Sequence, residues 1–405
     1  MKSYNILILT SEYPNPGVSY DTPVVHFFAK EWVKMGHSVK VIHFRSVFPS
    51  FFYVVARLLK SFVKRVFKTD FIPFEKLQNA KGCHFDGVDV IMEPIFKYFP
   101  HIKFTNQVIK EKARQIVLNN QNLKWTPDVV IGHFLNPQLQ LFSELRPFYP
   151  ISKFSLVLHE NPSEIKRLFG EKATIHFRNI NHIGFRYLEM QNIFEGLYGS
   201  TYSTFLCPSG VPESYVLDDI PDEKFKCESL SIAFVGMLIP LKNIDIILKA
   251  LSVSFPQKNF SFKLIGEGML RGDIESQIAE NDIKEQVMML GKKSRDEVQL
   301  ELLNTDVFVM VSKPEAFGLV YLEAMGKGCI TIGTTGQGID GVILNGENGF
   351  LCEARNVDSL KSVFTTIAEM PYEEKLKMSK KAIITARQLT DEKVAYSYLQ
   401  KLNLV

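Results

Sequence analysis

Short runs of Ile, Val and Leu alternate with helix-spaced stretches along this chain, and the alternation occurs twice. Continuous apolar runs of this kind suit parallel strands buried on both faces, which need helical crossovers between them. In the first half, strands are expected at Tyr4–Thr10, Val39–Phe44, Val88–Met92, Val129–Gly132, Ser155–His159 and Thr204–Pro208. A helix over Pro23–Met35, closed by Gly36, completes the first βαβ unit. Pro212–Glu228 is polar and acidic, with two prolines and no clear period, and reads as a linker. A second series follows at Ile232–Gly236, Ser261–Ile265, Val287–Leu290, Val307–Val311 and Cys329–Gly333, with helices such as Asn243–Ser254 and Arg271–Asn281 between. Two doubly wound α/β domains are implied. The length agrees, because 405 residues exceed one comfortable core.

Composition excludes several classes. A hydrophobic fraction of 46% with 22% charged residues is that of a globular enzyme rather than a disordered chain. A net charge of +3 gives no general nucleic-acid surface. The five cysteines, Cys83, Cys207, Cys227, Cys329 and Cys352, are scattered with no C-x-x-C pair, which speaks for a reducing compartment and against a zinc site. No uncharged apolar run reaches the ~18 residues of a membrane-spanning helix. A cytoplasmic protein is expected.

One exception is local. Residues 51–68, FFYVVARLLKSFVKRVFK, place Phe, Val and Leu at helical spacing with Arg57, Lys60, Lys64, Arg65 and Lys68 on much of the other side. Two readings stay open: an interfacial helix on anionic lipid, or a helix packed on the sheet with a solvated basic rim.

The segment from Asp306 to Phe350 carries the chemistry. The strand Val307–Val311 ends at Ser312, a loop carries Glu315 out at its carboxyl end, and a helix begins near Phe317 or Gly318. The unpaired amides and dipole of such a helix start favour an anion, and Gly318 allows close backbone approach. Glu323 lies eight residues beyond Glu315, roughly 12 Å of helix at ~1.5 Å per residue. That is the reach from a ribose across a diphosphate to a hexose, so one carboxylate can grip each end. Two glutamates so spaced also occur by chance.

The run E-A-F-G-L-V-Y-L-E-A-M-G-K-G from Glu315 resembles the E-x7-E signature of glycosyltransferase family 4, and Gly346-ENGFL resembles that family's ending of the same segment. The resemblance implies a GT-B fold, two Rossmann-like domains facing a cleft: 1–212 on the acceptor side, a linker over 213–228, 229–385 binding the nucleotide sugar, and a final stretch 386–405 crossing back. It implies a retaining transferase using a UDP- or GDP-linked sugar, with no cofactor and no metal. Glu323 would hold the ribose, Glu315 would face the donor sugar, and the amides around Phe317, Gly318 and Leu319 would meet phosphate and sugar oxygens.

Other segments follow the same resemblance. Gly236-MLIPLKN is similar to a phosphate-binding loop in which Lys242 neutralises the leaving diphosphate; Met237 stands where an arginine is usual, and Asn243 where a glycine is. Leu264-IGEGMLR supplies Gly266 and Gly268 for a strand-to-helix turn. Gly291-KKSRDE, with Lys292, would lie under the nucleobase. In the first half, Gly17 of Pro14-NPGVSYDT would approach the donor phosphates. His133 in Pro127-DVVIGHF reads as a structural histidine, whereas His159 in Leu158-HENPSE aligns with a histidine that contacts the donor sugar. The acceptor would be a glycan or lipid-linked glycan, and residues 51–68 would make the protein peripheral on the inner face of the membrane. Three rivals remain: a GT-B sugar-nucleotide epimerase, a non-catalytic nucleotide-sugar-binding partner, and a dinucleotide oxidoreductase, the last lacking a G-x-G-x-x-G after the first strand.

Overall fold

The computed structural model describes residues 2–14, 22–58 (backbone alone for 56–58) and 82–405. Two compact units are present, 1–186 with 190–207 and 395–405, and 187–189 with 208–394.

In the N-terminal unit the elements run β1 (Asn5–Thr10), α1 (Val24–Lys34), β2 (Ser38–Val47), α2 (Ser50–Leu58), β3 (Cys83–Phe85), β4 (Val88–Phe96), α3 (Asn106–Asn122), β5 (Val129–His133), α4 (Gln138–Leu145), β6 (Lys153–Leu158), α5 (Ser163–Phe169), α6 (Ala173–Phe177), β7 (His182–Phe185), α7 (Leu188–Tyr198) and β8 (Thr204–Leu206). The strand order is β3-β4-β2-β1-β5-β6-β7-β8. Every neighbouring pair is parallel except the β3–β4 hairpin. The apolar runs explain the centre: Ile6, Ile8, Leu9, Val129, Val130 and Ile131 are fully buried. Strand order reverses between β1 and β5, and the loops beyond the carboxyl ends at such a reversal are where open α/β sheets bind ligands.

The C-terminal unit contains β9 (Leu230–Val235), α8 (Ile244–Ser254), β10 (Phe260–Ile265), α9 (Arg271–Glu280), β11 (Val287–Gly291), α10 (Arg295–Leu303), β12 (Val307–Val309), α11 (Leu319–Gly326), β13 (Ile330–Thr334), β14 (Phe350–Cys352), α12 (Val357–Glu369) and α13 (Tyr372–Gln388). Its sheet, ordered β11-β10-β9-β12-β13-β14, is parallel throughout. The reversal lies between β9 and β12. The two loops singled out in the sequence, after Val235 and after Val309, therefore leave adjacent strands on the same edge.

The last helix, α14 (Asp391–Lys401), passes from one unit's residues to the other's. From Ala395 onward it packs with the N-terminal unit. Tyr398 meets Trp32 and Phe28 edge-on, its hydroxyl lies 3.1 Å from Ser155 Oγ, and the Ala395 carbonyl accepts from Trp32 Nε1 at 2.9 Å. Lys153 Nζ bonds the Asn403 carbonyl. Because Tyr398 is 2% exposed among these rings, Tyr398→Ala should cost about 3–5 kcal/mol, read as a lowered midpoint in chemical denaturation. Among the described residues, no helix is long and apolar enough to cross a membrane.

Candidate active site

Two loops build the site of the C-terminal unit. The first leaves β9 at Gly236, runs through a short 3₁₀ turn at Pro240–Lys242, and enters α8 through Asn243 in the left-handed region (φ 48°). The Asn243 amide donates to the Val311 carbonyl at 2.7 Å, tying this loop to the one that follows β12. The second loop carries Glu315. Lys242 Nζ and Glu315 Oε2 meet at 2.6 Å, with 16% and 14% of their side chains exposed. Lys242 also lies 3.6 Å from Met310 Sδ. An ammonium and a carboxylate so enclosed attract more strongly than in water, and each would be costly to leave alone.

The Glu315 backbone is held as well. Its N–H donates to Gln337 Oε1 at 2.9 Å, and its carbonyl accepts from Gly338 N–H at 2.9 Å. A Cβ on Gly338 would stand 2.2 Å from the Ala316 carbonyl oxygen, so only glycine lets these segments touch. Gln337 and Gly338 have no signature in the sequence beyond a glycine-rich turn.

Helix α11 begins at Leu319, with Gly318 as its N-cap at φ 75° and no side-chain cap. Its first turn holds no acid. Phe317 is buried. The glycine at 318 has an internal cause: a Cβ there would lie 2.7 Å from the Tyr321 ring. Close packing, not only room for a ligand, selects the residue. Tyr321 in turn donates its hydroxyl to the Met310 carbonyl.

Glu323 is 5% exposed. Its Oε1 pairs with Arg295 Nη2 at 2.6 Å, and its Oε2 accepts from Gln299 Nε2 at 3.1 Å. Both partners come from α10, whose start is set by a capping box: Ser294 accepts from the Glu297 amide and Glu297 accepts from the Ser294 amide. Arg295 and Gln299 then lie four residues apart, on one helix face. The Arg295 guanidinium also sits 5.4 Å from the Tyr215 ring centroid. Neither Arg295 nor Gln299 was a sequence candidate. Lys292, three residues before, is exposed.

Gly236 and Met237 complete this side. Met237 is 56% exposed. Gly266, at φ 143°, presses on the same loop, and a Cβ on it would fall 1.8 Å from the Gly236 carbonyl oxygen. On Gly268 a Cβ would fall 2.3 Å from the Leu238 carbonyl oxygen. These two glycines thus fix where the Gly236–Lys242 loop runs, besides shaping their own turn.

In the N-terminal unit, His159 follows β6. Its Nε2 lies 3.0 Å from Nδ1 of fully buried His133, and its ring stacks on Phe134 at 4.1 Å. Burial, with Arg186 nearby, lowers His133 to about 3 and holds His159 well below the usual imidazole range. Both rings are neutral at pH 7, and one ring nitrogen of the pair donates to the other. Glu160 accepts from the Leu135 and His159 amides. Gly17 lies outside the described residues, as does 59–68 of the basic amphipathic stretch; Phe51 and Val54 of its described part are exposed. Among the described residues no group of three or more His, Cys, Asp or Glu is placed to hold a metal ion.

Comparison with known proteins bears on this arrangement. A stretch of 128 residues is 35% identical to an uncharacterized glycosyltransferase of Methanocaldococcus jannaschii, covering 32% of this chain and 35% of that one. Over 113 residues the chain is 34% identical to N-acetyl-alpha-D-glucosaminyl L-malate synthase of Bacillus anthracis, covering 28% and 29%. The chain thus matches about a third of the length of these curated relatives. The crystal structure of HepE from Anabaena in complex with UDP superposes with a TM-score of 0.69 over 99% of this chain and 100% of that one, at 16% identity. The chain has the GT-B fold, and its residues 218–386 match the family model described as glycosyl transferases group 1.

Proposed function

We propose that this protein is a retaining glycosyltransferase of family 4, moving a hexose or N-acetylhexosamine from a UDP- or GDP-linked sugar to a hydroxyl of a glycan or lipid-linked glycan, as in bacterial surface polysaccharide assembly. The observation that carries this reading is the enclosed Lys242–Glu315 pair at the strand-order reversal, beside the uncapped start of α11. A diphosphate fits a cation next to free helix amides. In this reading Lys242 takes the leaving diphosphate, Glu315 the donor sugar and Glu323 the ribose, released from or shared with Arg295. Leu319 and Gly318 contribute backbone amides.

The chemistry is front-face substitution. The acceptor oxygen bonds to the anomeric carbon on the face from which the sugar–phosphate bond breaks, and the leaving phosphate takes the acceptor's proton. The protein contributes positioning and charge stabilisation, and no metal is assigned a role. The site is read as working on the inner face of the membrane, with the basic stretch 51–68 as a peripheral contact.

The test incubates the full chain with a panel of sugar nucleotides and EDTA, following nucleotide diphosphate release with and without bacterial lipid extract. Release from one donor, lost in Glu323→Ala, is expected; release that needs added Mg²⁺, or inversion of the anomeric centre in the product, would overturn the corresponding part. Met237 favours a second reading. It leaves an exposed thioether where a second cation is usual, as a non-catalytic nucleotide-sugar binder would. Tight nucleotide binding without release from any donor, and gain of release in Met237→Arg, would point there.

A further inference from the structure

The N-terminal unit holds a pocket of 240 Å³ that the donor chemistry does not use. It lies beyond the carboxyl ends of four strands: Phe48 follows β2, Lys97 follows β4, Leu135 follows β5 and Glu160 follows β6, with Arg167 contributed by α5. That is the ligand edge of an open α/β sheet. The volume falls below the ~300 Å³ at which drug-sized sites begin, so it suits a head group rather than an oligosaccharide.

Its charges are unevenly satisfied. Arg167 is paired with Glu164 at 2.6 Å and bonded to the His101 carbonyl. Glu160 has its amide donors. Lys97 is half-buried, and its ammonium lies 4.8 Å from the Phe104 ring centroid, a cation–π contact. No described carboxylate pairs with it. Burial, with Arg167 as the neighbouring charge, brings its pKa down to about 8. A half-buried ammonium facing a second cation is stabilised when an anion joins it. Glu160, whose carboxyl is raised by burial, supplies an acceptor for a hydroxyl in the same pocket.

We propose that this pocket binds the acceptor through a phosphomonoester borne on a hydroxylated head, with Lys97 gripping the phosphate and Glu160 a hydroxyl. The inference rests on the transferase reading and adds the acceptor's chemical class. At the end of β4 and beyond it, Phe96, Tyr98 and Phe99 are exposed while Lys97 turns to the pocket, and Phe99 meets Phe52 edge-on at 5.7 Å. A phosphomonoester at the end of a lipid and a free polyol phosphate present the same chemistry here.

The experiment uses the full chain. Calorimetry with glycerol 3-phosphate is run on wild type, Lys97→Met, Lys97→Arg and, as a control on exposed α3, Lys110→Met, each checked by thermal melting. Binding is expected in wild type, weakened about tenfold or more in Lys97→Met and kept in Lys97→Arg and Lys110→Met. Absence of binding in wild type, or equal binding in Lys97→Met, overturns the proposal. Flotation with phosphatidylcholine vesicles with and without lysophosphatidic acid, whose phosphomonoester head keeps a free hydroxyl, separates the sources: retention that needs both lysophosphatidic acid and Lys97 assigns the lipid head, and binding of glycerol 3-phosphate without such retention assigns the free phosphate. UDP binding, measured in parallel, should be unchanged in Lys97→Met; its absence from every protein would remove the donor reading and leave the pocket result standing.

Discussion

Glu315→Gln is expected to lower sugar transfer by about 10²–10³-fold while nucleotide binding stays within about threefold of wild type. The amide keeps the side chain's shape and removes its charge. Lys242 then loses the carboxylate 2.6 Å away. Lys242→Met should act differently. It removes the cation assigned in the proposal to the leaving group, and it strands a Glu315 that is 14% exposed, so both turnover and nucleotide affinity are expected to fall. The double variant should lose less than the two single losses combined, because the groups interact directly. Diphosphate release and calorimetric nucleotide titration check both numbers. Near-normal transfer by Glu315→Gln would remove this residue from the chemistry.

Gly266→Ala is expected to destabilise the C-terminal unit by about 3 kcal/mol or more, lowering its melting temperature by roughly 6–12 °C. Two causes add. The backbone at 266 has φ 143°, which L side chains rarely adopt, and the new methyl would lie 1.8 Å from the Gly236 carbonyl oxygen. The Gly236–Lys242 loop must shift to admit it, so nucleotide binding should weaken along with stability. Gly272→Ala is the internal control. It lies in α9 with nothing within 4 Å of the added carbon, and a helical alanine should be neutral or stabilising by about 0.5–1 kcal/mol. Scanning calorimetry distinguishes the pair, and equal melting of Gly266→Ala and wild type would show that the close approach is not maintained in solution.

The fold class was legible because parallel strands buried on both faces leave continuous apolar runs. β1 and β9 carry such runs, Ile6–Leu9 and Ile232–Val235, and their burial matches the pattern. Two short strands were not legible, although β8 and β12, with three residues each, were. β7 is only His182–Phe185 and contains Gly184, whose Cβ would stand 2.8 Å from Phe205; β14 has three residues. A glycine in a strand reads as a turn until the neighbour that demands it is known.

The site divides in the same way. Glu315, Gly318 and Glu323 belong to one local phrase, so sequence alone placed them around a helix start. Their partners come from elsewhere in the chain: Lys242 lies 73 residues before Glu315, Arg295 28 before Glu323, and Gln337 22 after Glu315. Those pairings depend on strand order, which brings β9 beside β12 and sets α10 against α11. Local spacing encodes periodicity and helix ends, because those are contacts between near neighbours. Which distant carboxylate meets which cation, and why Gly266 and Gly338 admit no side chain, was decided only when the sheet closed the distance between loops.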